Sequence, residues 1–427
     1  MRLSRLNIRK IRFDEVDTNY SGQDILMKLG ELYQFESGIY GYGNLWTKLE
    51  RIVEDVIIDE LDKVGCIQVE FPKLQPKKIW DKSNRWDMYT KENDIMFTMD
   101  NNLGEYGLAP TAEECATIFG ANRLLSHKNL PAIYYQIGEK FRKEVRARGY
   151  LFRPRTFVMM DAYSFDKTEE DMKKTYDMMH EAYLNIFKRL GINIIPTVSD
   201  NGVIGGSVAE EFQAITNLGE DKLLYDEETN IGINKEVLEF DNRDEYLAQL
   251  GVTDINKLKE VSAIELGNNF QLGTKYSVSM NLYYKDKEGK DSPYYMGCYG
   301  IGLGRIIATI IENSVIREDG KLKGFSLPLN VAPYKVQIVY KEDKASDAED
   351  LYNYLSDLGI KCIIDDRNGY SIGNKIKDVY ALGTPYIAIL GNNSSDNMVE
   401  VEDTKTGNKE LIEIEKLVSL LTKRKEV

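Results

Sequence analysis

Cysteine is scarce. The 427 residues hold four, Cys66, Cys115, Cys298 and Cys362, far apart and without a CxxC pair. That excludes a sequence-local zinc knuckle and a disulfide-dense secreted scaffold. Histidine is scarcer still, with only His127 and His180, which excludes a histidine-rich metal centre. No stretch reaches the roughly 18 uninterrupted apolar residues of a membrane span. The opening MRLSRLNIRKIRFDEVD has no apolar core of a secretion signal. A reduced, cytoplasmic, soluble protein with no membrane partner is expected. Ten prolines and 33 glycines leave little room for a long disordered segment. The 55 basic residues are outnumbered by 69 acidic ones, for a net charge of −14. That balance opposes non-specific coating of DNA or RNA but permits a local basic groove.

What is present is a core-forming composition, 42 % hydrophobic and 29 % charged, in a length that suits two or three domains. Leu45, Leu49, Ile52, Val53, Val56, Ile57, Leu61 and Val64 recur at three- and four-residue intervals, predicting an amphipathic helix ended by Gly65. CIQVEFP predicts a short strand stopped at Pro72. Residues 133–165 read as a hairpin: IYYQIGEKFRKEV, a basic loop RARGYLFRPR, then TFVMMDAYSF. A helix from about Thr168 to Leu190 follows, with Asp166 and Thr168 as capping candidates. Residues 222–262 are charged and poorly periodic, the pattern of a peripheral insertion. SPYYMGCYGIGLGRIIATIIE puts its glycines at a strand-to-helix junction. Beyond Pro328 and Pro333 a fresh alternation begins: strand 335–340, helix 346–358, strand 360–365, helix 372–381, strand 386–390.

Three segments carry chemistry. Arg142, Glu144, Arg146, Arg148, Arg153 and Arg155 crowd into fourteen residues of the hairpin. Arginine forks fit phosphate and carboxylate oxygens, though a solvated basic loop fits the same composition. Strand alternation puts Arg142 and Glu144 on one side. GIGLGR lacks the spacing of a P-loop, but its glycines admit a ligand to the backbone. Arg305 stands there at a helix start, where anions are favoured. GLAPTAEE offers Thr111 and Glu113, a hydroxyl and a carboxylate able to hold a substrate ammonium or imino group. The same residues also suit a helix start, with Thr111 as cap and Glu113 and Glu114 in the first turn.

Taken in order, these segments resemble the three signature motifs of the class II aminoacyl-tRNA synthetases. The helix 44–64 with its strand and Pro72 resembles the first. FRKE (141–144), the basic loop and RTFVMMDAYSF (155–165) resemble the second, and GCYGIGLGR (297–305) the third. PTAEE, YQIGEKFRKE, IGGS, FQLGTKYS and GCYGIG are similar to segments of the bacterial-type prolyl-tRNA synthetases. NVAPYKVQIV and IIDDRNGYSIGNKIKDVYALGTPY resemble the anticodon-binding domain of that family. The resemblance implies an α/β (α+β) fold: an antiparallel sheet flanked by helices over residues 1–328, then an α/β anticodon-binding domain over 331–427. It implies proline and ATP as reactants, a proline tRNA as acceptor, and a homodimer built through the first motif, and the ATP chemistry implies Mg²⁺.

The resemblance also implies roles. Arg142 would bridge the proline carboxylate and the ATP α-phosphate, and Glu144 would accept from the adenine amino group. Arg153 and Arg305 would hold the distal phosphates, beside Gly302. Phe157 would stack on adenine or border the substrate. Thr111 and Glu113 would hold the imino group in a pocket shaped by Met159, Asp161 and Tyr163. Glu265 is a candidate metal-proximal acid. The chain departs from the family at Ala112, Glu210 and Asn268, where histidine is usual, and at Thr156 and Gly304. These changes are expected at the pocket rim and the tRNA-facing side. Only 48 residues separate Asp221 from Phe270, where many relatives carry an editing domain. That is too short for an independent domain, so clearance of mischarged alanine in cis is not expected. The alternatives are a paralogue that activates another small amino acid or serves a specialised pathway, and a non-catalytic tRNA-binding homologue.

Overall fold

A computed structural model describes residues 1–9, 11, 13, 19–145, 151–199, 208–216, 218–229, 231–235, 238, 247, 252, 254–395 and 397–422. The expected first helix is α1, Asn44–Lys63. Its three- and four-residue spacing buries Leu45, Leu49, Val53, Ile57 and Leu61 in the main core. Gly65 takes the left-handed conformation (φ +77) just beyond the helix end, which a side chain would resist. The strand β1 that follows is shorter than CIQVEFP suggests, Ile67–Gln68. Helix α2, Glu113–Ala121, precedes the hairpin of β2, Ala132–Phe141, and β3, Thr156–Asp166. Helix α3, Glu169–Leu190, is capped by Thr168, whose hydroxyl accepts from the Asp171 amide at 3.1 Å. Asp166 is no cap. It is buried at the end of β3 and accepts from the Thr175 hydroxyl at 2.7 Å.

Strands β4, Ile195–Ser199, β5, Val208–Ile215, β6, Asp221–Asp226, and β7, Ile231–Asn234, come next. The long β8, Lys259–Gly273, then leads through β9, Tyr295–Gly302, into α4, Leu303–Asn313. The sheet runs β7-β6-β8-β9-β3-β2-β1, with β5 on β8 and β4 on β5. Every pairing is antiparallel except β1 with β2. The charged stretch read as a peripheral insertion therefore supplies two strands of the main sheet. Its polar residues fit there because β7 is the terminal strand of the sheet and β6 lies next to it. Helices α1, α3 and α4 cover one face, and α2 lies on the other.

The C-terminal sheet is built from β10, Val336–Tyr340, α5, Ala345–Asp357, β11, Cys362–Ile364, α6, Ile372–Leu382, and β12, Tyr386–Leu390. β13, Met398–Asp403, β14, Lys409–Glu413, and α7, Ile414–Thr422, complete it. Its order is β11-β10-β12-β13-β14. The first residues of the chain lie against it. Arg2 bridges to Ile364 and forks onto Glu349 at 2.7 and 2.9 Å, and the Ser4 hydroxyl donates to Asp366 at 2.7 Å. The Leu327 amide donates to the Gly383 carbonyl at 2.8 Å, so the two sheets are braced together.

Candidate active site

Strand register places the site on the sheet face opposite α3. One row of paired residues runs Glu211, Asn268, Gly300, Asp161, Gln136, and the row beside it runs Gly302, Met159, Gly138. Because side chains alternate along each strand, these rows share one face. Gly300 leaves a gap in the first row. A Cβ there would meet Met159 Cε at 2.4 Å and Asn268 Oδ1 at 2.9 Å. Above the gap lies a cleft of about 110 Å³ whose walls include Arg142, Glu144, Arg153, Phe157, Met159, Glu265, Asn268, Gly302 and Arg305. Arg142 and Glu144 lie beyond the end of β2, so strand alternation does not orient them. A turn does so instead, with the Glu144 amide donating to the Arg142 carbonyl at 2.8 Å.

The cationic groups are held by short contacts. Arg142 donates from Nε to the Pro110 carbonyl at 3.3 Å and rests 5.1 Å above the Phe157 ring. Arg305, in the first turn of α4, donates from Nε to the Phe152 carbonyl at 2.9 Å. Its Nη1 reaches the Glu265 carbonyl at 2.8 Å and Glu265 Oε2 at 3.0 Å. The other Glu265 oxygen accepts from Asn268 Nδ2 at 2.7 Å. Arg153 is ion-paired with Glu220. Arg146 and Arg148 lie outside the described residues, as does the IGGS segment. Among the described residues no three Asp, Glu, His or Cys side chains converge as a metal cage.

Thr111, Glu113, Asp161 and Tyr163 do not line the cleft. They form a buried network behind it. The Thr111 hydroxyl lies 2.8 and 2.7 Å from the two Glu113 carboxylate oxygens. Tyr163 accepts from the Ala112 amide at 3.0 Å and donates to Asp161 Oδ2 at 2.8 Å. Ala112, and not Thr111, occupies the cap position of α2. Burial pushes the Tyr163 phenol well above its ordinary pKa, so it stays a donor.

Several members of this network carry no motif. Lys140 pairs with Asp161 at 2.6 Å, both buried, and Gln136 donates to the same carboxylate at 2.9 Å. Parity along β2 is the signal that would find them, since Gln136, Gly138 and Lys140 share a face. Arg85 has no such signal. Only 1 % exposed, it sits among the rings of Trp80, Tyr89 and Tyr276 and donates from Nη1 to Glu113 at 3.1 Å and Glu114 at 3.0 Å.

Residues 89–314 match the tRNA synthetase class II core domain (G, H, P, S and T), and residues 333–424 match an anticodon binding domain. A proline–tRNA ligase of Rickettsia bellii is 34% identical over 428 residues, 97% of each chain. One from Rickettsia africae is 34% identical over 434 residues, 99% of this chain and 100% of the other. The chain belongs to the proline–tRNA ligases of synthetase class II. A prolyl-tRNA synthetase of Cryptosporidium parvum, solved with L-proline and AMP, shares the fold with this synthetase. The TM-score is 0.74, at 17% identity over 97% of this chain and 78% of that one. The same enzyme with halofuginone and AMPPNP gives a TM-score of 0.75 at 16% identity, over 97% and 79%.

The departures from the family pattern scatter more widely than a pocket rim. Of the five positions 112, 156, 210, 268 and 304, Asn268 and Gly304 line the cleft. Ala112 is buried, and Thr156 pairs with Phe141 at the loop end of the hairpin. Glu210 is on the opposite face, 2.8 Å from His180 of α3.

Proposed function

We propose that this chain activates proline with ATP and transfers it to a proline tRNA. The observation that carries the reading is the convergence of Arg142, Arg153 and Arg305 on one cleft directly in front of the Thr111–Glu113–Tyr163 network. A proline carboxylate oxygen attacks the α-phosphorus of ATP, the bond to pyrophosphate breaks, and prolyl-adenylate forms. Two anions must meet in that step, and fixed guanidinium groups offset their repulsion without reorganising. Arg142 bridges the carboxylate and the α-phosphate, with Arg153 and Arg305 on the distal phosphates along the backbone at Gly302. Glu144 accepts from the adenine amino group, and Phe157 stacks on the base. Thr111 and Glu113 receive the imino group, in a pocket bounded by Met159, Asp161 and Tyr163. A ribose hydroxyl of the tRNA then attacks the acyl carbon and AMP leaves.

Mg²⁺ would enter with the ATP phosphates as part of the substrate, and Glu265, which lines the cleft, is the acid that would approach it. Residues 1–328 act as the catalytic unit. Residues 331–427 read the tRNA, a reading supported by the anticodon binding domain match. A homodimer forms through the first motif, and the enzyme works in the cytoplasm. ATP–pyrophosphate exchange measured with each standard amino acid, with and without tRNA, tests the proposal. Proline-dependent exchange without tRNA is expected. A different amino acid ahead of proline by about tenfold or more would reassign the chain to a specialised paralogue.

A further inference from the structure

Arg85 lies outside every motif, yet its contacts run to the amino-acid network. Its Nη1 is shared between Glu113 Oε2 and Glu114 Oε1, and its Nη2 donates to the Tyr89 hydroxyl at 2.5 Å. Glu114 accepts a second bond from Ser83 at 2.6 Å, while its other oxygen has no hydrogen-bond partner and is buried. Glu113 has a different environment. Both its oxygens lie at the Thr111 hydroxyl, and Thr111 in turn lies 3.5 Å from Tyr163. Glu114 thus points into the protein, and Glu113 points toward the network behind the cleft.

Charge makes the arrangement informative. The buried side chains of the network include three carboxylates, Glu113, Glu114 and Asp161, against two cations, Arg85 and Lys140. Lys275, at the exposed edge above the Tyr276 ring, adds a third cation that Glu113 and Glu114 attract. The remaining titratable groups around Glu113 are Cys115 on its own helix, Tyr163 on β3, Cys298 on β9, and Tyr89 and Tyr276 beside Arg85. Burial raises the pKa of each of them, so none supplies a positive charge. Glu113, on the side of the pair that meets Thr111, is the carboxylate open to a substrate ammonium. Without a cation beside them, two adjacent carboxylates in a dry site would share a proton. Burial already pushes the Glu114 carboxyl upward, with Arg85 opposing it.

Resting on the proline-activating reading, we propose that Arg85 is a positioning residue for amino-acid recognition. By clamping Glu113 and Glu114 together it holds Glu113 turned toward the substrate's secondary ammonium. Arg85 itself touches no substrate.

The test uses the full-length enzyme in ATP–pyrophosphate exchange. Wild type is first run over the standard amino acids. If another one is preferred, the proline reading fails, and the Arg85 series is repeated with that amino acid, whose ammonium meets the same carboxylate. In Arg85→Gln, the KM for proline should rise about tenfold or more while the KM for ATP stays within about twofold. The acid limb of kcat/KM for proline should move up by about one pH unit, because a carboxylate has lost its cationic neighbour. Arg85→Gln/Glu114→Gln removes the second carboxylate as well and should return the limb toward wild type. Arg85→Lys keeps the charge and should keep the limb. Equal losses in both KM values with an unmoved limb, or a double variant no better than the single, overturn the proposal. If Arg85→Gln does not fold, by loss of its near-UV dichroism, the other two variants decide. A displaced limb in Arg85→Lys then overturns it.

Discussion

Single residues in this synthetase can be assigned by whether they meet the cleft, the buried network or the far face of the sheet. Arg142 meets the cleft. Losing one fixed donor to a developing charge costs about 3 to 4 kcal/mol, so Arg142→Ala should slow proline-dependent exchange by roughly two to three decades. Arg142→Lys should recover little of that, because an ammonium cannot fork between two anions or lie flat on Phe157 as the guanidinium does. Near-normal exchange in the alanine variant would remove Arg142 from the mechanism. Asp166 is remote from the cleft and fully buried, and burial pushes its carboxyl up to about 6. Its folded pKa is above the unfolded one, so ionising it costs stability as pH rises from about 4 through 6 and above. Asp166→Asn should therefore raise Tm at pH 7.5 and leave it little changed at pH 4. An unchanged Tm at pH 7.5 would mean that water reaches the carboxylate. His180 has the same pH slope for a different reason. The hydrogen bond to Glu210 raises its pKa, so that pair stabilises fully below about 6.5 and its contribution fades as pH climbs past the folded value.

At the scale of elements, the site depends on which strands lie side by side. Gly300 of β9 lies between Asn268 of β8 and Asp161 of β3, and its missing side chain forms the cleft floor. The atoms that a Cβ would strike there are ends of flexible side chains, Met159 Cε and Asn268 Oδ1. Gly300→Ala should therefore fold with a loss of only about 1 kcal/mol, while its exchange activity falls at least about tenfold as those side chains are pushed into the cleft. Full activity would show that the floor has spare room. Much of this architecture is legible in the chain itself. The helical stripe of α1, the aromatic alternation of β2 and β3, and the glycine junction before α4 are local patterns, and local patterns survive folding. Strand pairing is not local. The stretch Asp221–Asn234 carries too many charges to announce strands, yet the edge of the sheet accepts them. The MVEVED segment of β13 alternates well, but nothing near it says that it will pair with β12. The site divides in the same way. FRKE and GIGLGR declare their arginines, whereas Arg85 reaches Glu113 across 28 residues and only the folded chain joins them.

For the whole molecule, the question is how an acidic chain with an anticodon binding domain meets a polyanion. Positive charge in the C-terminal unit is sparser than a residue count suggests. Arg367 is spent on Asp365 and Asp378, at 2.6 and 2.7 Å, and lies over Tyr370. Lys375 is buried and donates to the Asp365 carbonyl at 2.9 Å. Lys377, two residues on and on the exposed side of α6, faces solvent. Severing the unit would be an ambiguous test of its role. Phe325, Leu327, Val331 and Ala332 belong to the main core, and Ala381 of α6 packs with them. A charge reversal on the intact chain is cleaner. Exposed phosphate contacts act through counterion release, each contributing about one unit to the salt slope. Lys377→Glu should raise the KM for tRNA severalfold and flatten its salt dependence, with proline-dependent exchange in the absence of tRNA unchanged. Unaltered charging at every salt concentration would move the RNA contact off α6. A parallel drop in exchange would mean that the substitution reaches the cleft through the shared core instead of through the tRNA.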